Sequence, residues 1–162
     1  MARFVDAIDL PLSPEAAFDL LADFSRLPEW DPGAVEARRL GSGPIARGSR
    51  FRVVSEFLGR RVPLTYEIVE YERPLRLVLR ARDGGLTSLD EITFAARAGG
   101  TRVTYDARLA LSGIAQLGDP LLQLAFGFLG RAAVRGLETR AAALATQAAR
   151  DGARLRSAAS AG

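Results

Sequence analysis

The sequence predicts an α+β domain in which an antiparallel sheet grips a long C-terminal helix, with an apolar cavity between them. Three observations carry this expectation. Seven segments alternate apolar and polar residues with the two-residue period of a half-buried strand. Ser13-Pro14 opens a short one-sided helix directly after the first of these segments. Beyond Asp119-Pro120, apolar residues recur at three- and four-residue spacings over about thirty residues, a helix of roughly 45 Å. Strands with one apolar face need a cover, and the C-terminal segment supplies it.

The first strand spans Arg3 to Leu10, with Phe4, Ala7 and Leu10 bracketing Val5 and Ile8, and with Asp6 and Asp9 between them. Ser13 then serves as N-cap, Pro14 takes the first helical position, and Leu12 can staple onto Ala17 or Phe18. Ala17, Phe18, Leu20, Leu21 and Phe24 form the apolar side of that helix. From Asp23 a second short helix or turn leads to Pro32-Gly33, and the only tryptophan, Trp30, lies between two prolines. Trp30 reads as a cap on the end of the core and as a wall of a ligand cavity, and the two roles are compatible.

Period two returns from Ala34 to Leu40, followed by a Gly41-Ser42-Gly43-Pro44 turn. Phe51, Val53, Ser55 and Phe57 share a face of the next strand, opposite Arg52, Val54, Glu56 and Leu58. Val62, Leu64, Tyr66 and Ile68 follow, with Pro63 marking a strand edge or irregularity. Leu75, Leu77, Leu79 and Ala81 form the next inward set, and Asp83-Gly84-Gly85 turns the chain. Ser88, Asp90, Ile92 and Phe94 share one side of the sixth strand. After Ala98-Gly99-Gly100 comes the seventh, with Val103, Tyr105, Ala107, Leu109 and Leu111 inward.

In the last helix, Leu121, Leu124, Ala125, Phe128, Leu129, Ala132, Gly136, Ala143 and Leu144 form the inward stripe. Gly127, Gly130 and Gly136 each cost about 1 kcal/mol there relative to alanine. Either they allow close packing against the sheet or they leave room for a bound molecule. The expected domain is residues 1–150, with 151–162 as a flexible, Arg-dotted tail.

Composition removes several function classes. The 162 residues are 48% hydrophobic and 25% charged, which suits one soluble domain with its own core. Without cysteine there are no disulfides, thiolates or sulfur-ligated metals, and without histidine the commonest general base and metal ligand are gone. No cofactor is expected. The net charge of +3 is carried by scattered arginines, with no basic stripe or recognition-helix pattern, so nucleic acid is not an expected partner. No uncharged apolar run approaches the roughly 18 residues of a membrane span. The N-terminus has no apolar signal region, which makes the cytoplasm the expected location. Monomer and dimer both remain open.

The order of strand, two helices, six strands and long helix resembles the START-like, or SRPBCC, superfamily, in particular its polyketide cyclase/dehydrase-type members. The resemblance covers residues 3 to about 149. It is carried by Ser13-Pro14-Glu15 and the stretch from Ala22-Asp23-Phe24 to Trp30-Asp31-Pro32. Tyr66-Glu67-Ile68-Val69-Glu70-Tyr71 before Arg73-Pro74 and Gly99-Gly100-Thr101-Arg102-Val103-Thr104-Tyr105 complete it. It implies a helix-grip fold, a seven-stranded sheet wrapped around the last helix, and a cavity for lipids, sterols, polyketides or other aromatic compounds. Some members cyclise or dehydrate polyketides and others bind or carry ligands.

The cavity is then expected between Phe51, Val53, Ser55, Tyr66, Ile68, Leu77, Leu79, Asp90, Ile92 and Tyr105 from the sheet, Leu124 and Phe128 from the helix, and Trp30. Binding or carrying a small hydrophobic or aromatic metabolite is the leading reading. A cyclase or dehydratase would use Asp90, whose carboxyl would be desolvated among Ile92, Phe94 and Tyr105, with Tyr66 and Tyr105 as hydrogen-bond donors. A partner-binding accessory role is the third possibility.

Overall fold

The computed structural model describes residues 1–57, 59–83, 85–111 and 119–160. The expected placements of the Leu58, Phe57, Leu111 and Leu121 side chains, the Gly84 turn position and the Asp119-Pro120 cap side chains lie outside what is described.

Strand β1 (Ala2–Leu10) leads into α1 (Pro14–Ala22) and a 3₁₀ turn (Phe24–Glu29). Strands β2 (Ala34–Leu40), β3 (Arg50–Phe57), β4 (Arg60–Glu72), β5 (Arg76–Asp83), β6 (Leu86–Arg97) and β7 (Gly100–Leu111) follow, and α2 (Asp119–Ser160) closes the chain. The strands form one antiparallel sheet in the order β1-β7-β6-β5-β4-β3-β2. This is the expected helix-grip topology.

Local chemistry starts α1 and the 3₁₀ turn where the sequence indicates. The Ser13 hydroxyl accepts from the Ala16 N–H at 3.2 Å, and Pro14 occupies the first turn. Asp23 caps the 3₁₀ turn by accepting from the Ser25 N–H at 3.2 Å. Phe18 carries α1 into the core, 5.0 Å from the Tyr71 ring in an edge-on contact and 5.2 Å from Phe94. Phe24 does the same for the 3₁₀ turn, 5.2 Å from Tyr66 and 6.2 Å from Phe51. Pro63 sits in β4 opposite Val54, before the described pairing with β5 begins at Tyr66.

Several expectations are corrected. In β1 the inward side chains are Ala2, Phe4, Ile8 and Leu10, while Ala7 and Val5 face water, because the strand keeps strict period two. Leu75 precedes β5 and is exposed rather than inward. Helix α2 continues through Ser160, beyond the roughly thirty residues expected of it, since the Ala- and Arg-rich end carries one glycine, Gly152, and no proline to stop it.

The inward stripe of α2 is also rotated. Leu124 and Phe128 are 67% and 64% exposed. The side turned to the sheet keeps Leu129 and adds Ala133, Val134, Leu137 and Ala141, of which the last two are fully buried. Two glycines explain the choice. A Cβ on Gly130 would lie 2.5 Å from the Phe4 ring, and one on Gly136 would lie 1.9 Å from the Trp30 carbonyl oxygen. The helix approaches β1 and Trp30 on the side where side chains are missing. Polar ties fix it there. Gln123 accepts from the Arg3 N–H at 2.8 Å and donates to the Arg3 carbonyl at 2.7 Å, and Arg140 pairs with Glu29 at 2.7 Å.

Candidate functional site

The inward face of the sheet is divided into two regions. Under α1 and the 3₁₀ turn, Phe18, Leu21 and Phe24 pack onto Phe51, Val53, Ile68, Leu77, Leu79 and Ile92, all six of which are fully buried in the core. Under α2 the same strands border a partly open cavity of about 330 Å³. Strands β4 and β6 change role along their length. In β4, Val62, Leu64 and Tyr66 reach the cavity and Ile68 does not; in β6, Leu86, Ser88 and Asp90 reach it and Ile92 does not.

The structure therefore brings Trp30, Ser55, Tyr66, Asp90 and Tyr105 together around one cavity. It places Phe51, Val53, Ile68, Leu77, Leu79 and Ile92 in the solid core and turns Leu124 and Phe128 outward. The sequence shows which face these strand residues share. It does not show how far Phe18 and Phe24 reach across that face to fill it. From α2, Phe126, Leu129, Ala133 and Leu137 form the opposite wall.

Register explains the polar row. Tyr66 pairs with Ala81, and Ala81 pairs with Ser88. The small side chain of Ala81 lets the Tyr66 hydroxyl reach over it and donate to Ser88 Oγ at 3.3 Å. Asp90 lies between Leu79 and Ala107, its cross-strand partners, and is 5% exposed. Burial among these apolar neighbours, with the negative charges of Asp31 and Asp106 adding to it, pushes its carboxyl up to about 7, against a smaller opposing hydrogen bond from Ser88. Burial and the nearby Asp90 charge also raise the Tyr66 and Tyr105 phenols, which remain neutral donors at physiological pH.

Asp31 was not singled out by sequence reasoning. It reads as part of a Trp30-Asp31-Pro32-Gly33 turn, and it does accept from the Gly33 N–H at 2.8 Å. The turn nevertheless sets its carboxyl against the cavity, where burial raises its pKa. The available signal was its adjacency to Trp30, whose indole N–H is buried without a hydrogen-bond partner among the described residues. Among those residues no cluster of three or more His, Cys, Asp or Glu could hold a metal ion. No helix among them is long and apolar enough to cross a membrane.

The family model described as polyketide cyclase / dehydrase and lipid transport matches residues 1–149. Solved structures share the fold. A protein from Thermus thermophilus is 20% identical, with 88% of this chain and 98% of that one covered and a TM-score of 0.75. A START superfamily protein from Mycobacterium smegmatis is 14% identical over 89% and 99%, with a TM-score of 0.76. A Rhodobacter sphaeroides protein is 23% identical over 88% and 93%, with a TM-score of 0.63. At these identities the likeness shows the fold alone. No curated protein matches the sequence.

Proposed function

This chain belongs to the polyketide cyclase / dehydrase and lipid transport family, and from that premise we propose that it binds or carries a small hydrophobic or aromatic metabolite in the cavity beneath α2. The observation that carries this reading is the division of the inward face. One part of it is packed solid, and the other is held open between apolar walls with a few polar groups converging on it. That combination characterises small-molecule sites, and a volume of about 330 Å³ lies at the compact end of their range. Non-denaturing mass spectrometry of the protein purified from its native host tests it. A stoichiometric adduct, released and identified, is the expected result. A clean apo mass that persists after incubation with an apolar metabolite extract would overturn it.

Asp90 supports a second reading, that of a polyketide cyclase or dehydratase. A carboxyl at about 7 is divided between its acid and base forms near neutral pH, which suits removal of an α-proton from a poly-ketone. Tyr66 or Tyr105 would donate a hydrogen bond to the enolate oxygen. Turnover of a poly-ketone substrate that is lost in Asp90→Asn and reduced in Tyr105→Phe, with ligand binding retained, supports catalysis. Binding without turnover in the unmodified protein leaves the carrier reading alone.

A further inference from the structure

The cavity has one sign of charge. The chain has 22 basic residues against 19 acidic ones, yet the charged side chains bordering the cavity are Asp31 and Asp90, with no arginine among the described residues. Several acids elsewhere are matched. Asp9 pairs with Arg102 at 2.7 Å, Asp19 with Arg73 at 2.7 Å, Asp106 with Arg3 and Arg108 at 2.8 and 2.6 Å, and Glu91 with Arg76 at 2.9 Å. Among the described residues, neither Asp31 nor Asp90 has a salt-bridge partner. Arginine is plentiful on the outer face of the sheet and missing from the cavity.

An unpaired carboxylate in an apolar enclosure is costly, and a bound cation offsets that cost. An ionised carboxylate is also acceptor-only, so it is matched by a ligand that donates. The walls add to this. Trp30, Phe24, Tyr66 and Tyr105 present aromatic surface to the same space, and ring faces attract cations. An anionic headgroup would meet the carboxyls of Asp31 and Asp90 and no cationic side chain to receive it.

We propose that the cavity selects a compact hydrophobic amine, held by its ammonium group between Asp31 and Asp90, and rejects carboxylate- and phosphate-bearing lipids. This rests on the ligand-binding reading and names the chemistry of the ligand.

The test is isothermal titration near neutral pH with three probes of one shape: naphthylmethylamine, naphthylmethanol and naphthoate. The amine is expected to bind more tightly than the alcohol by about tenfold or more, as a charge-assisted hydrogen bond provides, with naphthoate weakest. Asp90→Asn and Asp31→Asn should each reduce the amine's advantage over the alcohol to within about threefold. Equal affinities, or a preference for naphthoate, would overturn the selectivity and leave the cavity reading standing. If none of the three binds and native mass spectrometry shows only apo protein, both readings fall. The comparison among probes uses the unmodified protein, so it decides the matter even where a variant folds poorly.

Discussion

A Cβ on Gly136 would lie 1.9 Å from the carbonyl oxygen of Trp30. The partner is backbone and cannot swing away. Gly136→Ala is therefore expected to destabilise the protein by about 2 kcal/mol, even though alanine is the better helix former by about 1 kcal/mol. Gly127 provides the contrast. Its Cβ would meet only the flexible end of Arg131, at 3.6 Å, so Gly127→Ala should stabilise by roughly 0.5–1 kcal/mol. Urea denaturation of both variants checks the opposite signs.

Asp90 makes the pH dependence of stability run against the usual carboxylate trend. Its folded pKa, about 7, stands above the ordinary value of 3.8, so between these the native state retains a proton that the unfolded chain has released. This group's contribution to stability thus falls as pH rises through that window. Asp90→Asn should be more stable than the unmodified protein at about pH 8 and should converge with it near about pH 4. Thermal unfolding across that range measures the gap, and a gap that widens on acidification would contradict the buried placement.

Asp106 behaves in the opposite sense. Hydrogen bonds from Arg3 and Arg108 hold its carboxyl well below the usual range, so its stabilisation is present at neutral pH and is lost as pH falls toward the folded value. The arginines are partly solvated, which limits the effect. Asp106→Asn should cost about 1 kcal/mol at neutral pH, and the cost should shrink in acid. Chemical denaturation at two pH values reads it.

Ala133 sits in the α2 wall of the cavity. Ala133→Phe should occupy much of the open volume and abolish ligand uptake, with a stability change within about 1.5 kcal/mol because the space exists already. The readout is an apo mass in native mass spectrometry from a variant whose thermal midpoint stays near that of the unmodified protein.

Much of this architecture was legible because strands announce their buried face directly. The alternation from Ser88 through Asp90 to Phe94 shows that Asp90 shares a side with Ile92, and pairing keeps it there. The rotation of α2 was not legible, since Leu121 to Val134 is apolar on nearly every side and supports more than one stripe. What decides between stripes is Gly130 against Phe4 and Gly136 against Trp30, contacts between residues more than a hundred positions apart. The boundary between solid core and cavity depends in the same way on how far Phe18 and Phe24 extend, a tertiary fact with no local signature. Asp31 escaped notice because a turn accounts for aspartate before Pro-Gly without any further role.

Helix α2 is tied down at a few points: Gln123 to the Arg3 backbone, Gly130 over Phe4, Gly136 over Trp30, and Arg140 to Glu29. The residues between those fastenings, Phe126, Leu129 and Ala133, face the cavity and add only apolar packing to the helix's attachment. Attachment and selectivity are thus written on alternating positions of one element. Exchanging the second set recasts the shape of the guest while the first set keeps the roof in place, so a lineage built on this scaffold can change what it holds without relearning how to fold.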